Sequence, residues 1–406
     1  MSKLKESLAL QIFLALGLGV VAGLCFLWAD LVAFPVKWLK PFGTIFINLL
    51  KFICVPIVLT SIIQGVVSLG DPKKIGSIGG KTILYYLCTT MFAITIGLIL
   101  ANLFTFPVLE TSGAEYAAKP PVPIMDTIIK IFPTNILAPI VSMDMLPVIV
   151  IALFIGFGII LTGEKGKIVK DVNDGLVEVF MKIMHGIISL SPYAVFCLIT
   201  PVVAENGPKV LGSLALVLLC AYIAYAVHVF VTYSTAVSIL GKMNPLKFLK
   251  GGTEAFLFAF TSTSSAATIP ISLECAEKNL GVRKDVASFT LPLGATINMD
   301  GTAIYQGVAA VFIASCYGID LTLGDMITII LTATLASIGT AGTPGAGMIM
   351  LAMVLESVGL PVEGIALVFG VDRIFDMGRT GVNVLGDLSA AVIVDRSEKK
   401  KEGLVD

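Results

Sequence analysis

Long apolar runs alternate with short polar segments along most of the chain, a pattern typical of membrane-spanning helices. A helix needs roughly 20 apolar residues to cross the hydrocarbon core of a bilayer. Runs of about that length or longer lie near residues 9–29, 41–69, 80–106, 146–163, 172–203, 210–240, 285–314 and 364–394. The polar, proline-rich stretch 110–133 is the longest loop between them. The sequence therefore predicts an all-α polytopic membrane protein.

Composition agrees with this fold class and narrows the chemistry. The 406 residues are 56% hydrophobic and 14% charged, with a mean hydropathy of +0.96, which excludes an ordinary soluble globule. The first apolar run ends without a small-residue cleavage site, so we expect no cleavable signal. The seven cysteines lack paired spacing and are predicted to be small buried hydrophobic side chains. His185 and His228 show no zinc-ligand spacing, so metal-dependent and histidine-based catalysis have little support.

Lysine and arginine outside the predicted spans fall mainly on one side of this arrangement. They cluster in the segments 3–5, 73–81, 165–170, 242–250, 278–284 and 396–401. Cytoplasmic loops carry an excess of basic residues, so both termini are predicted to lie in the cytoplasm.

Two apolar stretches are interrupted in a way that does not suit a plain span. The stretch 251–282 carries the hydroxyl cluster Thr261–Ser265 before Pro270, with basic loops on one side of the membrane at both of its ends. This predicts a re-entrant hairpin with hydroxyls at its tip. The stretch 326–360 is broken by SIGTAGTPGAG at Ser337–Gly347, whose glycines and proline free backbone groups that a ligand, ion or water must satisfy. Packing of small residues between helices is the alternative explanation of these glycines.

The segment 372–387, DRIFDMGRTGVNVLGD, places charged and polar side chains inside an apolar run. At about 100° per residue, one helical stripe holds Asp376, Arg379, Thr380, Asn383 and Asp387. An ionised group at membrane depth costs roughly 2.5–3.5 kcal/mol on insertion scales, so such groups face a polar cavity or each other. A structural ion pair between helices is one interpretation. The number and variety of groups favour a binding site for a charged ligand.

Asn298-Met299-Asp300-Gly301-Thr302 lies between the two interrupted stretches and predicts a broken helix. A regular helix would point Asn298 and Asp300 to different faces, so local unwinding beside Gly301 is expected to bring their oxygens together. Oxygen-rich sites without histidine suit hard cations such as Na⁺. A hairpin and a broken helix, followed by a second hairpin and a polar-striped helix, are typical of inverted repeats with a midplane site. This order predicts a secondary transporter.

Four ordered motifs carry a resemblance to a known family: the hydroxyl-rich tip before Pro270, NMDGT, SIGTAGTPGAG and DMGRTGVNVLGD. Together they resemble the dicarboxylate/amino acid:cation symporters, the glutamate transporter family, and Tyr85–Thr90 is similar to the third helix of its sodium-coupled members. The resemblance implies eight transmembrane helices, two opposed re-entrant hairpins, a homotrimer and an elevator mechanism. It also implies scaffold helices 1–2 in 1–79, transport-domain helix 3 in 80–106, scaffold helices 4–5 with transport-domain helix 6 in 107–240, and the transport-domain core in 241–406.

The same resemblance implies a role for each matching residue. Asp376 is expected to bind the α-ammonium of the substrate and Arg379 its side-chain carboxylate, which a planar guanidinium matches bidentately. The other expected substrate contacts are Ser264, Ser265, Thr302, Thr343, Gly347, Thr380 and Asn383.

Three Na⁺ sites are implied as well. The first comprises Asp387, Asn383, Asn298 and the carbonyl of Gly294; the second comprises Asp300, Asn298, Tyr86, Thr89 and Thr90; the third comprises the carbonyls of Thr296, Ser337, Ile338 and Thr340. The third site would form only when the second hairpin closes, which would couple Na⁺ to substrate.

Several positions depart from the family pattern. Many relatives carry an arginine at the first hairpin tip or directly after the aspartate of the last motif, where this chain has Thr263 and Met377. We therefore expect Asp376 to lack a guanidinium from either position and to pair more freely with an ammonium. Ala266 replaces a common serine, and Thr343 stands where valine or isoleucine is frequent. These changes bear on affinity and selectivity rather than on architecture.

The residues favour an acidic amino acid as the substrate. A neutral amino acid would leave Arg379 unpaired, and a plain C4-dicarboxylate would offer Asp376 no ammonium; these two substrate classes are the alternatives on the same fold. Met299 and a proposed site without histidine favour Na⁺ over proton coupling. We therefore predict sodium-driven uptake of L-aspartate or L-glutamate across the cell (inner) membrane, with aspartate slightly favoured.

Two other functional classes have less support. An ion channel could use the carboxylates as a selectivity ring, but the opposite charges of Asp376 and Arg379 suit a zwitterionic acid better. An intramembrane hydrolase could use a serine of Ser262–Ser265, but no Gly-x-Ser-x-Gly surrounds it and neither histidine has an evident orienting acid. The sequence therefore predicts a transporter and not an enzyme.

Overall fold

Helices make up all the regular structure of the residues described by the computed structural model, which are 8–68, 76–108, 129, 132–337 and 346–404. In the first part of the chain they are α1 Leu8–Trp28, α2 Ala33–Trp38, α3 Lys40–Ser68, α4 Gly76–Leu103, α5 Leu137–Ser142, α6 Met145–Thr162, α7 Lys167–Ser189, α8 Ser191–Asn206, α9 Lys209–Val227 and α10 Ser234–Ile239. The later helices are α11 Pro245–Ser262, α12 Ser265–Glu274, α13 Lys284–Ile297, α14 Asp300–Cys316, α15 Leu323–Ala336, α16 Ala346–Ser357, α17 Ile365–Phe369 and α18 Asp372–Lys401.

Five helical runs of the described chain are long and apolar enough to cross a membrane. They are Leu10–Trp28, Lys40–Val67, Ile78–Leu103, Pro147–Ser189 and Lys209–Ile239. The predicted spans 285–314 and 364–394 are not among them, because the first is split into α13 and α14 and the second carries the polar stripe. The length and apolar character of the five runs are consistent with a multi-pass membrane protein.

The prediction of one helix over 172–203 is wrong. α7 ends at Ser189 and a separate helix, α8, begins at Ser191 with Pro192 in its first turn. Proline has no N–H to continue the preceding helix but fits the first turn of a new one. α7 instead continues from α6 through a 3₁₀ turn at Gly163–Gly166.

The predicted unwinding at NMDGT is confirmed. α13 ends at Ile297, Asn298 has an extended backbone (φ −83°, ψ 95°), and α14 starts at Asp300. The break leaves the side chains of Asn298 and Asp300 free of regular helical geometry, and both are fully buried.

The two interrupted stretches each form a pair of helices that pack against one another. α11 and α12 are joined at Thr263 and Ser264, so the hydroxyl cluster lies at the tip, as predicted. α15 and α16 form the second pair. Their connection, 338–345, lies outside the described residues and includes Ile338, Thr340 and Thr343.

α18 is the centre of the second half of the structure. It packs against α4, α11, α13 and α14, and almost every residue from Phe375 to Asp395 is buried. In the first half, α1 packs on α8, and α3 packs on α6 and α7. The polar stripe of α18 is therefore enclosed by protein.

The cysteine prediction is correct for only part of the set. Cys220, Cys275 and Cys316 are buried, whereas Cys25 and Cys88 lie on exposed faces of α1 and α4, and these described thiols are free. Cys25 and Cys88 therefore depart from the burial that is usual for free cysteine.

Close packing of α4 on α14 generates a test of the fold. A Cβ on Gly97 would lie 2.9 Å from the carbonyl oxygen of Ile304, which belongs to backbone and cannot rotate away. We expect Gly97→Ala to lower the free energy of unfolding by about 1–3 kcal/mol, the usual range for overpacking. Thermal unfolding of the detergent-purified protein would measure it.

Gly158→Ala is the matched control, because a Cβ there meets nothing within 4 Å. It should leave the melting temperature unchanged or raise it slightly. Equal melting temperatures for the Gly97 variant and the wild type would contradict the packing of α4 on α14.

Candidate binding site

The polar stripe of α18 forms one buried face, as the sequence predicts. Its members each expose 5% or less of their surface: Asp376, Arg379, Thr380, Asn383 and Asp387. This burial confirms the stripe, and the ligands assigned to it stay a prediction. Two carboxylates, a guanidinium, an amide and a hydroxyl in one enclosed region provide donors and acceptors of both charges.

Arg379 forms the densest set of contacts on this face. Its Nε donates to Oδ1 of Asp376 at 2.8 Å and its Nη1 donates to Oδ1 of Asp372 at 3.2 Å. The guanidinium also lies over the ring of Tyr305, 4.9 Å from the centroid. Nη2 is buried and has no hydrogen-bond partner among the described residues. One edge of the guanidinium is therefore left for an acceptor.

Two of these partners were missed by sequence reasoning. Asp372 stands seven residues before Arg379, two helical turns along the same stripe, so its spacing could have identified it. Tyr305 belongs to α14, and no local pattern links it to Arg379.

Gly347, in the first turn of α16, is the predicted site residue nearest to this guanidinium. A Cβ at this position would overlap the Arg379 guanidinium, so only glycine fits here without displacing it. The second helical pair therefore touches the charged group directly. Thr343, the other residue predicted from this pair, lies outside the described residues.

Asp376 has a guanidinium neighbour that the sequence analysis did not expect. Its Oδ1 also accepts from Oγ1 of Thr380 at 3.4 Å, while its Oδ2 lies 3.9 Å from Nη1 of Arg373. The expectation that Asp376 lacks such a nearby cation is therefore corrected, and its contact with an ammonium stays a prediction. The cation comes from one turn earlier on α18 itself, neither from the tip nor from position 377.

The tip of the first helical pair reaches α18 through the same arginine. Arg373 Nη1 donates a short hydrogen bond to Oγ1 of Thr263. Ser264 caps α12, since its hydroxyl accepts from the N–H of Ala267 at 3.2 Å, and Ser265 is buried. Ser264 thus has a capping contact in addition to its predicted role.

The helix break brings the first predicted cation set together. Asn298 Nδ2 donates to Oδ1 of Asp387 and to the carbonyl of Asn383, both at 2.9 Å. A Cβ on Gly294 would overlap Oδ1 of Asp387. Oδ1 of Asn298 is buried without a partner in the described part of the chain. The carboxylate of Asp387, the amide of Asn298 and the backbone carbonyl of Asn383 therefore meet here.

Asn383 connects this region to the substrate residues. Its Oδ1 accepts from the N–H of Gly301 at 2.8 Å, and its Nδ2 lies 3.4 Å from Oγ1 of Thr302. One side chain thus joins α18 to the start of α14. Thr302, which is predicted to contact the substrate, therefore lies beside Asn383.

The second predicted cation set is assembled only in part. Oδ1 of Asp300 accepts from Thr90 Oγ1 at 2.6 Å. The hydroxyl of Tyr86 donates to the carbonyl of Thr290 at 3.0 Å, and that of Thr89 donates to the carbonyl of Tyr86 at 3.2 Å. Tyr86 and Thr89 are buried nearby but bond to backbone.

Asp300 also has two partners that the sequence analysis did not assign. Tyr233 donates to its Oδ2 at 2.8 Å, and Nε2 of His228 lies 3.2 Å from the same oxygen. The expectation that the proposed site contains no histidine, and that neither histidine has an acid partner, is therefore wrong for His228. The position of His228 inside an apolar span could have identified it, because an ionisable residue at membrane depth is by default a functional candidate. The π-helical turn His228–Tyr233, which carries both partners, has no such signal.

The third predicted cation set lies partly outside the described residues. Thr296 is exposed at the end of α13, with its hydroxyl bonded to the carbonyl of Leu293 at 2.9 Å. Ser337 is buried at the end of α15 and bonds to the carbonyl of Thr334 at 2.7 Å. Ile338 and Thr340 fall in the undescribed connection, so this set stays a prediction.

Acidic, thiol and imidazole groups do not form a transition-metal centre in the described residues, where no three of them converge. The oxygens around Asp387 and Asp300 are instead mainly carboxylate, amide, hydroxyl and backbone. Such donors suit hard cations.

Comparison with known proteins places this geometry in a family. Residues 8–397 match the model of the sodium:dicarboxylate symporter family. The chain is 36% identical to the proton/sodium-glutamate symport protein of Geobacillus stearothermophilus, over 97% of this chain and 95% of that protein. It is 34% identical to the C4-dicarboxylate transport protein of Bacillus subtilis (98% and 95%) and 34% identical to human excitatory amino acid transporter 3 (88% and 79%). The chain therefore belongs to the sodium:dicarboxylate symporter family, a family of membrane transporters and not of enzymes.

Proposed function

We propose that the protein is a sodium-driven symporter that takes up acidic amino acids, L-aspartate or L-glutamate. The observation that carries this proposal is Nη2 of Arg379, a guanidinium nitrogen that is buried and lacks a partner among the described residues. A buried unsatisfied donor on a charged group is costly, and a carboxylate of the substrate would satisfy it in bidentate geometry. A neutral amino acid has no side-chain carboxylate, the group assigned to Arg379, and would leave the penalty in place.

Asp376 supports recognition of the amino group. Its Oδ1 accepts from Arg379 and Thr380, whereas its Oδ2 lies 3.9 Å from Nη1 of Arg373. An ammonium at Oδ2 would form a shorter and stronger contact than this ion pair. Asp376 and Arg379 together therefore suit a molecule with a cationic and an anionic end.

Sodium coupling is supported by the carboxylate of Asp387. It is 3% exposed, and no lysine or arginine of the described chain pairs with it. An ionised carboxylate buried without a cation is strongly unfavourable. A Na⁺ held by Asp387, Asn298 and the Gly294 carbonyl would supply the missing charge as a co-transported ion.

Relatives named for glutamate and for C4-dicarboxylates are 36% and 34% identical to this chain, so the chemistry of the site decides between these two substrate classes. The site favours the amino acid, because Asp376 would repel a substrate with two carboxylates and no ammonium. C4-dicarboxylate transport is the second candidate, supported by the guanidinium of Arg373 beside Asp376.

The proposal extends to architecture and location. It comprises eight transmembrane helices with two opposed re-entrant hairpins related by inverted repeats, in the domain order expected from the sequence. It also comprises a homotrimer in the cell membrane with both termini cytoplasmic, and elevator movement of the 241–406 core with helices 3 and 6 against the remaining scaffold. The pairing of α11 with α12 and of α15 with α16, both packed within the second half, supports the hairpins.

Equilibrium binding to the purified protein tests the proposal directly. L-aspartate, L-glutamate, L-serine and succinate are titrated with and without Na⁺. Binding of aspartate or glutamate that requires Na⁺ would support it. Succinate binding without Na⁺ would replace both the substrate and the coupling ion, and a conductance without any substrate would favour a channel.

Removing the guanidinium should abolish recognition of acidic substrates. We expect Arg379→Cys to weaken binding of aspartate and glutamate by about a hundredfold or more, because a buried charge-assisted contact is lost. Arg283→Cys, which removes an arginine that pairs with Asp395 and Glu402, is the matched control and should bind normally. Unchanged aspartate binding by the Arg379 variant would remove this residue from the site.

Neutralising Asp387 should act on the cation first. We expect Asp387→Asn to shift the Na⁺ concentration for half-maximal aspartate binding upward by about tenfold or more, with the ranking of substrates unchanged. Asp285→Asn, at an exposed aspartate of α13, serves as the control. A superimposable Na⁺ titration for the Asp387 variant would contradict its role as a cation ligand.

A further inference from the structure

Arg373 belongs to neither of the residue sets assigned above, yet it contacts both the hairpin tip and the substrate site. Its Nη1 donates to Oγ1 of Thr263 and lies 3.9 Å from Oδ2 of Asp376. Its side chain is 24% exposed, so the guanidinium lies at the edge of the site and not in its interior. A single cation therefore lies between the tip and the carboxylate expected to bind an ammonium.

The backbone and burial of Thr263 indicate that its hydrogen bond with Arg373 is a specific feature of the tip. Its backbone has φ 54°, a left-handed conformation that is unfavourable for a β-branched residue, and it is 1% exposed. Its hydroxyl donates to the carbonyl of Ser262 at 2.7 Å and accepts from Arg373. Strained residues persist where surrounding contacts hold them, often at binding sites. The hydrogen bond from Arg373 joins the Thr263 side chain to α18.

The four charged groups at the start of α18 balance one another. Asp372 and Asp376 carry two negative charges, and Arg379 and Arg373 carry two positive ones, all within the contacts described. An ammonium that binds Asp376 adds a like charge beside Arg373. A dicarboxylate without an ammonium is attracted by Arg373, and this attraction offsets part of its repulsion by Asp376. Arg373 thus acts in opposite directions on the two substrate classes.

The position of Arg373 relative to Asp376 depends on Thr263. The hydroxyl holds Nη1 at a hydrogen-bonding distance, whereas the separation from Asp376 is that of a loose ion pair. Without the hydroxyl, the guanidinium would gain most by moving onto Oδ2 of Asp376, where the ammonium should bind. Thr263 therefore keeps the ammonium position open.

We propose that Arg373 is a specificity-determining positioning residue, held by Thr263, that sets the preference between amino acid and plain dicarboxylate substrates. The proposal rests on the proposed function, since it concerns the ammonium end of the same site. In addition to any contact with substrate, the tip thus fixes the position of the Arg373 guanidinium through Thr263.

The test compares affinities for L-aspartate and succinate at saturating Na⁺ in the wild type, Arg373→Gln, Thr263→Val and the double variant. We expect Arg373→Gln to raise the preference for aspartate over succinate by about tenfold, because the like charge is removed at a partly exposed position. Thr263→Val should lower the preference by a similar factor, since it releases Arg373 onto Asp376. The double variant should behave like Arg373→Gln.

Three further variants separate this role from a purely structural one. Thr263→Ser keeps the hydroxyl and should keep the wild-type preference. Arg373→Lys keeps the charge and should have a preference close to that of the wild type. Arg283→Gln removes an arginine of similar exposure, 27%, outside the site and should leave the preference unchanged. Loss of affinity for both substrates in equal proportion in the Arg373 and Thr263 variants would overturn the proposal.

The proposed function and the role of Arg373 fail separately in this design. Wild-type protein that binds succinate but not aspartate would overturn the proposed function, while a gain of aspartate binding in Arg373→Gln would still support the role of Arg373. Wild-type protein that binds aspartate with an unchanged preference in Arg373→Gln would overturn only the inference. If Thr263→Val does not fold, Arg373→Gln compared with Arg373→Lys decides the question alone.

Discussion

Burial of the Arg379 charge is the constraint on which the rest of the site depends. The side chain is 3% exposed in an apolar protein, and removal of one partner from a buried ion pair typically costs about 3–5 kcal/mol. Asp376 and Asp372 provide the compensation from positions three and seven residues earlier on the same helix. This local solution fixes which face of α18 turns inward. α11, α13 and α14 then have to pack around a polar surface.

Glycines and one asparagine make that packing possible. Gly301 lies against the backbone of Arg379, Gly294 against Asp387 and Gly347 against the guanidinium. At these points α14, α13 and α16 approach α18 without a side chain of their own in between. Asn383 then spans the regions proposed for substrate and cation, because its amide contacts Gly301 and Thr302 and its carbonyl accepts from Asn298. The two regions therefore share contacts with one residue, Asn383.

Features encoded within one or two helical turns were accessible from the sequence. The stripe on α18, the break at Asn298 and the hydroxyl tip follow from periodicity, glycine placement and the cost of charge in an apolar run. The contacts that revised the site join distant positions. His228 and Asp300 are 72 residues apart and Thr263 and Arg373 are 110 apart. Neither pair has a spacing rule, because each depends on which helices become neighbours.

The charged face of α18 also bears on how the protein is made. α18 carries Asp376, Arg379 and Asp387 in its buried length and Asp372 at its start, so it is a poor substrate for insertion into lipid on its own. The groups that bond to it, including Asn298, Gly301 and Thr263, all precede it in the chain. They have therefore been synthesised before α18 leaves the ribosome. The order of elements allows the last helix to enter a prepared protein cavity instead of bare bilayer.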